Sequence, residues 1–178
     1  NYAFSKNKFD KYLLEIKSKY LKQIILRPGA IVEKNMKNNS LRELINSIKK
    51  KYFFYLSDSA NSYLHYIYVD DLINAIFTIY KSHKSVNNNI YILTNNILLK
   101  NFVEYVCLKN NISNKKLTLN INLFYFFYYI LKIFIRFPIS QKRIENVLNK
   151  NYYSNSLIFK EYGIHIKNDY KYIIDELS

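Results

Sequence analysis

The spacing of apolar residues divides the chain into alternating helices and short strands. In residues 6–20 an apolar side chain recurs every three or four positions, which predicts one stripe of an amphipathic helix. The next apolar run, residues 23–27, ends at Pro28-Gly29 and predicts a buried strand. Because a helix followed by a short apolar strand is typical of parallel sheets, the pattern predicts an α/β fold.

The same periodicities continue to the end of the chain. Ser40, followed three residues later by Glu43, predicts a capped helix start, and Asp70-Asp71 place acids at the positive end of another helix. The predicted helices are 41–50, 72–81, 98–109, an aromatic helix within 121–137, 140–149, 155–162 and 169–177. The predicted strands are 52–56, 65–69 and 89–94, and 117–120 is expected to be extended. No repeat or domain linker interrupts this order.

Composition changes this picture only slightly. The 178 residues suffice for one domain with a core, and the abundant Asn, Lys, Ile, Tyr and Phe share A/T-rich codons. The formal net charge of +14 leaves a basic protein that binds nucleic acid or a membrane surface as an alternative function. However, the cations are spread through helices, turns and loops, so no nucleic-acid partner is expected.

Residues with metal or redox chemistry are few. Cys107 is the single cysteine and lies in the apolar pattern of a predicted helix, which indicates a buried thiol in a reducing, cytoplasmic compartment. The three histidines are isolated in sequence, so no metal site is expected. The aromatic segment within 121–137 is shorter than the roughly 20 residues of a spanning helix. Contact with a membrane surface or with another protein remains its alternative role.

Tyr2 and Lys6 form the candidate catalytic pair. They are four residues apart, so in a helix the phenol and the ammonium share one face. A free tyrosine is a poor base at neutral pH, whereas a nearby cation favours the phenolate. Among 19 tyrosines this spacing also arises by chance, so the pair acquires meaning only from its surroundings.

Those surroundings follow a recognisable order. The Tyr2/Lys6 pair precedes Leu26-Arg27-Pro28-Gly29, then Tyr66 to Asp71, then Ile90 to Thr94, and the tail contains Tyr153 to Gly163. In this order and spacing the chain resembles the C-terminal half of extended short-chain dehydrogenases/reductases, the NAD-dependent epimerase/dehydratase family. Within that family it is most similar to 4-epimerases of UDP-glucose or UDP-N-acetylglucosamine.

The resemblance implies a Rossmann-like α/β fold with a small α+β substrate-binding lobe, lacking the N-terminal dinucleotide-binding half. Residues 1–32 would be the last helix and strand of the truncated Rossmann domain. Residues 33–178 would be mainly the substrate lobe, with about 65–94 returning to the Rossmann sheet. With only Gly29 and Gly163, the chain lacks the glycine-rich pyrophosphate turn, and the family's catalytic Ser or Thr would lie upstream. The fragment alone is therefore expected to be inactive.

The resemblance also implies residue roles, with NAD or NADP as cofactor and a nucleotide sugar as substrate. Tyr2 would be the acid/base and would also contact the cofactor. Lys6 would bind the nicotinamide ribose and lower the tyrosine pKa. Further contacts are implied for four nicotinamide-lining residues and two residues at the start of the nucleotide-sugar site. These are Pro28, Gly29, Ala30 and Ile31 for the ring, and Asn39 and Leu41 for the substrate. The helix carrying Tyr2 and Lys6 would be a homodimer contact.

Two departures from the family pattern affect the substrate site. Val32-Glu33 replaces the usual Tyr-Gly after the first strand, and Tyr63 or Leu64 replaces a basic residue that often binds phosphate. His65 lies nearby, and a packing role on a strand is expected for it. Because a reductase or dehydrogenase of the same superfamily would use the same Tyr2/Lys6 pair, that activity remains the alternative to an epimerase or dehydratase.

Overall fold

A computed structural model describes residues 2–16, 23–36, 40–82, 90–115, 117–134, 148, 150–167 and 169–177. For residues 2, 3, 7, 127 and 129–134 it describes the backbone alone. The helices are α1 (Tyr2–Glu15), α2 (Ser40–Lys49), α3 (Val69–Lys81), α4 (Leu99–Lys109), α5 (Ile121–Phe134), α6 (Ser156–Tyr162) and α7 (Tyr170–Leu177), with a 3₁₀ helix at Ser57–Asn61. The strands are β1 (Ile25–Pro28), β2 (Ala30–Val32), β3 (Tyr55–Leu56), β4 (Tyr63–Tyr68), β5 (Ile90–Leu93), β6 (Asn95–Leu98) and β7 (Thr118–Leu119).

The predicted α/β fold class is confirmed, and the sheets within the described residues are small, two of them parallel and one mixed. Strands β1 and β5 pair in parallel, with Leu26 opposite Tyr91. Side chains alternate between the two faces of a strand, and Leu26 and Tyr91 pack with Ala75 of α3 in one buried cluster. Arg27 and Ile90 point the other way and line a cavity beneath α1. The parallel pair therefore lies between α1 on one face and α3 on the other.

Two strands change partners at Gly29 and Thr94. Beyond Gly29 the chain continues as β2, which pairs in parallel with β4, and beyond Thr94 it continues as β6, which pairs antiparallel with β4. A Cβ on Gly29 would lie 2.4 Å from Thr94 Oγ1 and 3.0 Å from backbone atoms of both His65 and Tyr66. Glycine therefore permits the close approach of the segments at this crossing point.

A second core lies between α2, α4 and α7. On α2 the buried side chains are Leu41, Ile45 and Ile48, which follow the i, i+4, i+7 spacing of a single face. They pack against Phe102 and Ile174, both fully buried. The buried thiol predicted for Cys107 is confirmed, since this side chain is 1% exposed within the same cluster.

The predicted helices and strands are largely confirmed, with shifted ends. Helix α3 begins at Val69, three residues before its prediction, and the strand predicted at 52–56 is reduced to Tyr55–Leu56. Strands β2 and β6 were not predicted. Residues 17–20 and 135–137 of the predicted helices lie outside the described residues, as does the helix predicted at 140–149 apart from Leu148. None of the described helices has both the length and the apolar character needed to cross a membrane.

Candidate active site

Helix α1 carries the predicted catalytic pair. Tyr2 is the first residue of α1 and Lys6 lies one turn later, so their Cα–Cβ bonds are on one face of the helix. The Lys6 side chain is exposed, and the side chain of Tyr2 lies outside the described atoms. The helical backbone thus meets the first requirement for the pair to act together.

An ion pair between Arg27 and Asp10 joins α1 to β1. Both Arg27 Nε and Nη2 donate to Asp10 Oδ2, at 3.1 and 2.5 Å. The pair lies in an open cavity of about 600 Å³ between α1 and the β1/β5 strands, whose apolar walls include Phe4 and Leu14. Sequence reasoning did not single out Arg27 or Asp10 as a pair, because they are 17 positions apart.

The four residues expected to line the nicotinamide follow directly from β1. Pro28 ends β1, Gly29 lies at the crossing point, and Ala30 and Ile31 begin β2. Pro28, Ala30 and Ile31 are exposed, whereas Gly29 is half-buried against the segments that it crosses. Three of the four therefore present accessible apolar surface at the carboxyl end of β1.

Of the two residues expected to contact the substrate, the structure describes only Leu41. Asn39 lies outside the described residues. Leu41 is 6% exposed and belongs to the core formed by α2, α4 and α7. Its side chain thus contributes to the core, and any substrate contact at this position would have to use the backbone.

Burial explains the roles of several other tyrosines. It raises the pKa of Tyr55 to about 12 and that of Tyr68 to about 12. It also raises the pKa of Tyr66 and Tyr91, and the Tyr91 hydroxyl donates to Glu161. Because these phenols hold their protons more strongly than a free tyrosine, they suit packing and hydrogen bonding better than proton abstraction.

His65 has the packing role that was expected. Its ring lies edge-on to Tyr153, with centroids 4.7 Å apart, and Nδ1 is 3.1 Å from Asn96 Oδ1. Since an amide oxygen only accepts, Nδ1 carries the hydrogen. Nε2 is buried and has no hydrogen-bond partner within the described part of the chain. Burial lowers the pKa of His65 below its usual 6.5, against the opposing effects of hydrogen bonds with the Asn96 side chain and the Asn151 backbone.

This environment predicts a pH dependence of stability. Because the pKa of His65 is lower in the folded state, the unfolded chain binds more protons below about pH 6.5, and acid lowers the free energy of unfolding. As the pH falls from about 7.5 to 5.5, we expect the free energy of unfolding to decrease less in His65→Gln than in wild type. Urea unfolding at several pH values measures this, with His165→Gln, at an exposed position, as the control. Parallel curves for wild type and His65→Gln would contradict the assigned environment.

Asparagine side chains attach the tail of the chain to the crossing point. Asn155 accepts from Thr94 N at 3.1 Å and donates to Thr94 O at 2.6 Å. In the same way, the Asn96 side chain donates to Tyr153 O at 2.7 Å and accepts from Tyr153 N at 3.0 Å. The segment before α6 is therefore hydrogen-bonded to the β5–β6 junction by two amides.

A second, polar cavity of about 250 Å³ lies at the start of α3. Asp70, Asp71, Asn74, Lys167 and Asp169 are among its lining residues. Burial raises the pKa of Asp71, although a backbone hydrogen bond from Lys167 and the Lys167 charge oppose this. Within the described ranges no group of three acidic, His or Cys side chains is placed to hold a metal ion.

Comparison with known proteins gives a fold but no family. No protein-family model matches the chain, and no curated protein matches it significantly. The chain is similar to a solved structure described as "Crystal structure of gox2253", with a TM-score of 0.63 and 19% identity. The match covers 94% of this chain and 52% of the other, so the chain spans about half of that protein's length. At this identity the likeness concerns the fold alone.

Proposed function

We propose that the chain is the C-terminal part of an NAD(P)-dependent extended short-chain dehydrogenase of the epimerase/dehydratase kind, acting on a nucleotide sugar. The observation that carries this proposal is the junction of α1 and β1. Helix α1 places Tyr2 and Lys6 on one face, and the ion pair between Arg27 of β1 and Asp10 of α1 connects that helix to the strand. Strand β1 ends at the exposed Pro28, and the chain continues through Gly29 to the exposed Ala30 and Ile31.

The arrangement of β1 and β5 supports a Rossmann-like sheet as part of this proposal. Two parallel strands lie between helices on opposite faces, and β1 pairs with β5 alone among the described strands. Doubly wound sheets bind their ligands outside the carboxyl ends of such strands. We infer that the remaining strands and the glycine-rich turn belong to another part of the parent protein. The match to about half of a longer solved chain supports this inference.

The residues present fit one end of the dinucleotide. Pro28, Ala30 and Ile31 expose apolar surface suited to a nicotinamide ring, and Lys6 offers an exposed cation for its ribose. The pyrophosphate end requires glycines that this chain does not have, since Gly29 and Gly163 are its only two. When bound, NAD(P) supplies the hydride acceptor and donor.

In this proposal Tyr2 performs the proton transfer. Its phenolate accepts the proton of a sugar hydroxyl as the carbon is oxidised, and the phenol returns a proton on reduction. Lys6 favours the phenolate by its positive charge. Because the same phenol and the same cofactor would serve both removal and return of the hydride, an epimerase regenerates its cofactor and needs no second substrate. A reductase instead releases an oxidised cofactor.

Incubation of the full-length parent with UDP-hexoses tests the proposal. We expect two epimeric sugars to interconvert without added NADH, measured by chromatography of the products. Stoichiometric consumption of NADH would instead favour the reductase alternative. Absence of both activities would remove the nucleotide-sugar assignment.

A further inference from the structure

We propose that Arg27 is a positioning residue that fixes α1 and neutralises a carboxylate on the helix face carrying Tyr2 and Lys6. This inference rests on the proposed function for its catalytic consequence. Its structural part, the fixing of α1 by Arg27, depends only on the contact between Arg27 and Asp10.

Three residues of the proposed site recur at every fourth position of helix α1. Tyr2, Lys6 and Asp10 follow one another at i, i+4 and i+8 in the continuous helix α1, so all three share a face. At 1.5 Å rise per residue, the first and last are about 12 Å apart along the axis. Asp10 therefore extends the Tyr2/Lys6 pair by one turn, with a charge opposite to that of Lys6.

Arg27 reaches this carboxylate from the neighbouring strand. Its guanidinium makes two hydrogen bonds to the same oxygen, and the Asp10 side chain is only 18% exposed. The other charged groups lining this cavity are Lys8 and Lys11 on α1 itself, and β5 contributes the uncharged Ile90. Arg27 is thus the cation that a different element supplies to Asp10 in this cavity.

Two consequences follow for the proposed site. The ion pair fixes the position of α1 relative to β1, and hence that of Tyr2 relative to Pro28 and Ile31. Because Asp10 and Arg27 are together neutral, the Asp10 carboxylate adds little unfavourable charge to the environment of the Tyr2 phenolate. Without Arg27, the negative charge of Asp10 would lose this compensation and, from two turns away, would disfavour the Tyr2 phenolate.

The test uses the full-length parent and the pH dependence of kcat/KM. We expect Arg27→Met to move the acid limb of the kcat/KM profile, which reports the Tyr2 phenol, to higher pH by about 0.3 to 0.5 units. This is the shift expected for one charge about 12 Å away at an effective dielectric constant of about 40 to 80. We also expect Arg27→Met to lower kcat by about tenfold with a smaller change in KM, because alignment is lost. Arg27→Met/Asp10→Asn should return the acid limb to its wild-type position, and Arg27→Lys should restore it in part.

Lys11→Met is the matched control for kcat and for hydrogen exchange, because it removes a cation from the same cavity without removing the Asp10 ion pair, and it should leave both unchanged. The acid limb responds to the loss of any nearby cation, so its control is Arg27→Met/Asp10→Asn. Amide hydrogen exchange supplies a readout that needs no turnover. Faster exchange in α1 of Arg27→Met, with unchanged exchange in α4, is expected if the ion pair fixes the helix. Unchanged exchange in α1 would overturn the positioning role whatever the activity. An unmoved acid limb in an active parent would overturn the electrostatic role, whereas a parent without any turnover would overturn the proposed function.

Discussion

Replacing Tyr2 with phenylalanine in the full-length parent is expected to lower turnover of the nucleotide sugar by about 10²- to 10⁴-fold, the usual contribution of a general acid/base. The ring is retained and only the hydroxyl that exchanges the proton is lost. Cofactor binding should therefore be unchanged. Turnover is measured by product chromatography, and bound NAD(P) by its release from the denatured protein.

Tyr12→Phe is the control for this experiment. Tyr12 lies on the same helix, its side chain is 61% exposed, and the proposal gives it no role. We expect its kcat to equal that of wild type. Loss of bound NAD(P) in Tyr2→Phe, or a turnover equal to that of Tyr12→Phe, would contradict the role assigned to Tyr2.

The parts of the fold that were predicted correctly depend on local patterns. Ser40, followed three residues later by Glu43, predicts a helix start, and α2 begins at Ser40. Asp70-Asp71 likewise lie in the first turn of α3, as their charge predicts. Such signals lie within one element, so the sequence alone reveals them.

Strands β2 and β6 were missed because their existence depends on long-range packing. The Pro28-Gly29 pair is a strong turn signal, yet the chain passes through Gly29 and resumes as β2. The two asparagines of β6 are unusual strand residues, and their hydrogen bonds with His65, Tyr153 and Lys167 explain their presence there. These partners are distant in sequence, so local sequence patterns cannot reveal them.

The candidate site likewise has one part that follows from local sequence and one part that depends on long-range contacts. The spacing of Tyr2 and Lys6 was visible in the sequence, but Arg27 and Asp10 come together only when α1 lies on β1. The role of Gly29 is harder to test. The family resemblance assigns it to the cofactor, but the crossing point also requires a glycine there, because a Cβ would lie 2.4 Å from Thr94 Oγ1. A substitution at Gly29 would combine both effects, so substitutions on helix α1 test the proposed site more directly.

The largest expected loss of stability comes from Asn155→Ala. The Asn155 amide is the partner of both the N–H and the C=O of Thr94, a residue that is 1% exposed. Removing it leaves two buried backbone groups without these bonds, and each such group costs about 1 to 3 kcal/mol. We expect the free energy of unfolding to fall by about 2 to 4 kcal/mol in total.

Urea unfolding measures this loss, and two further variants separate its causes. Asn155→Asp keeps an oxygen that accepts from Thr94 N but cannot donate to Thr94 O, so its loss should be intermediate. Asn101→Ala, at an exposed position on α4, should stay within about 0.5 kcal/mol of wild type. If Asn155→Ala were as stable as Asn101→Ala, the tail would not be held by this amide. Because the tail and the crossing point share these bonds, the same variant should also speed amide exchange in β6.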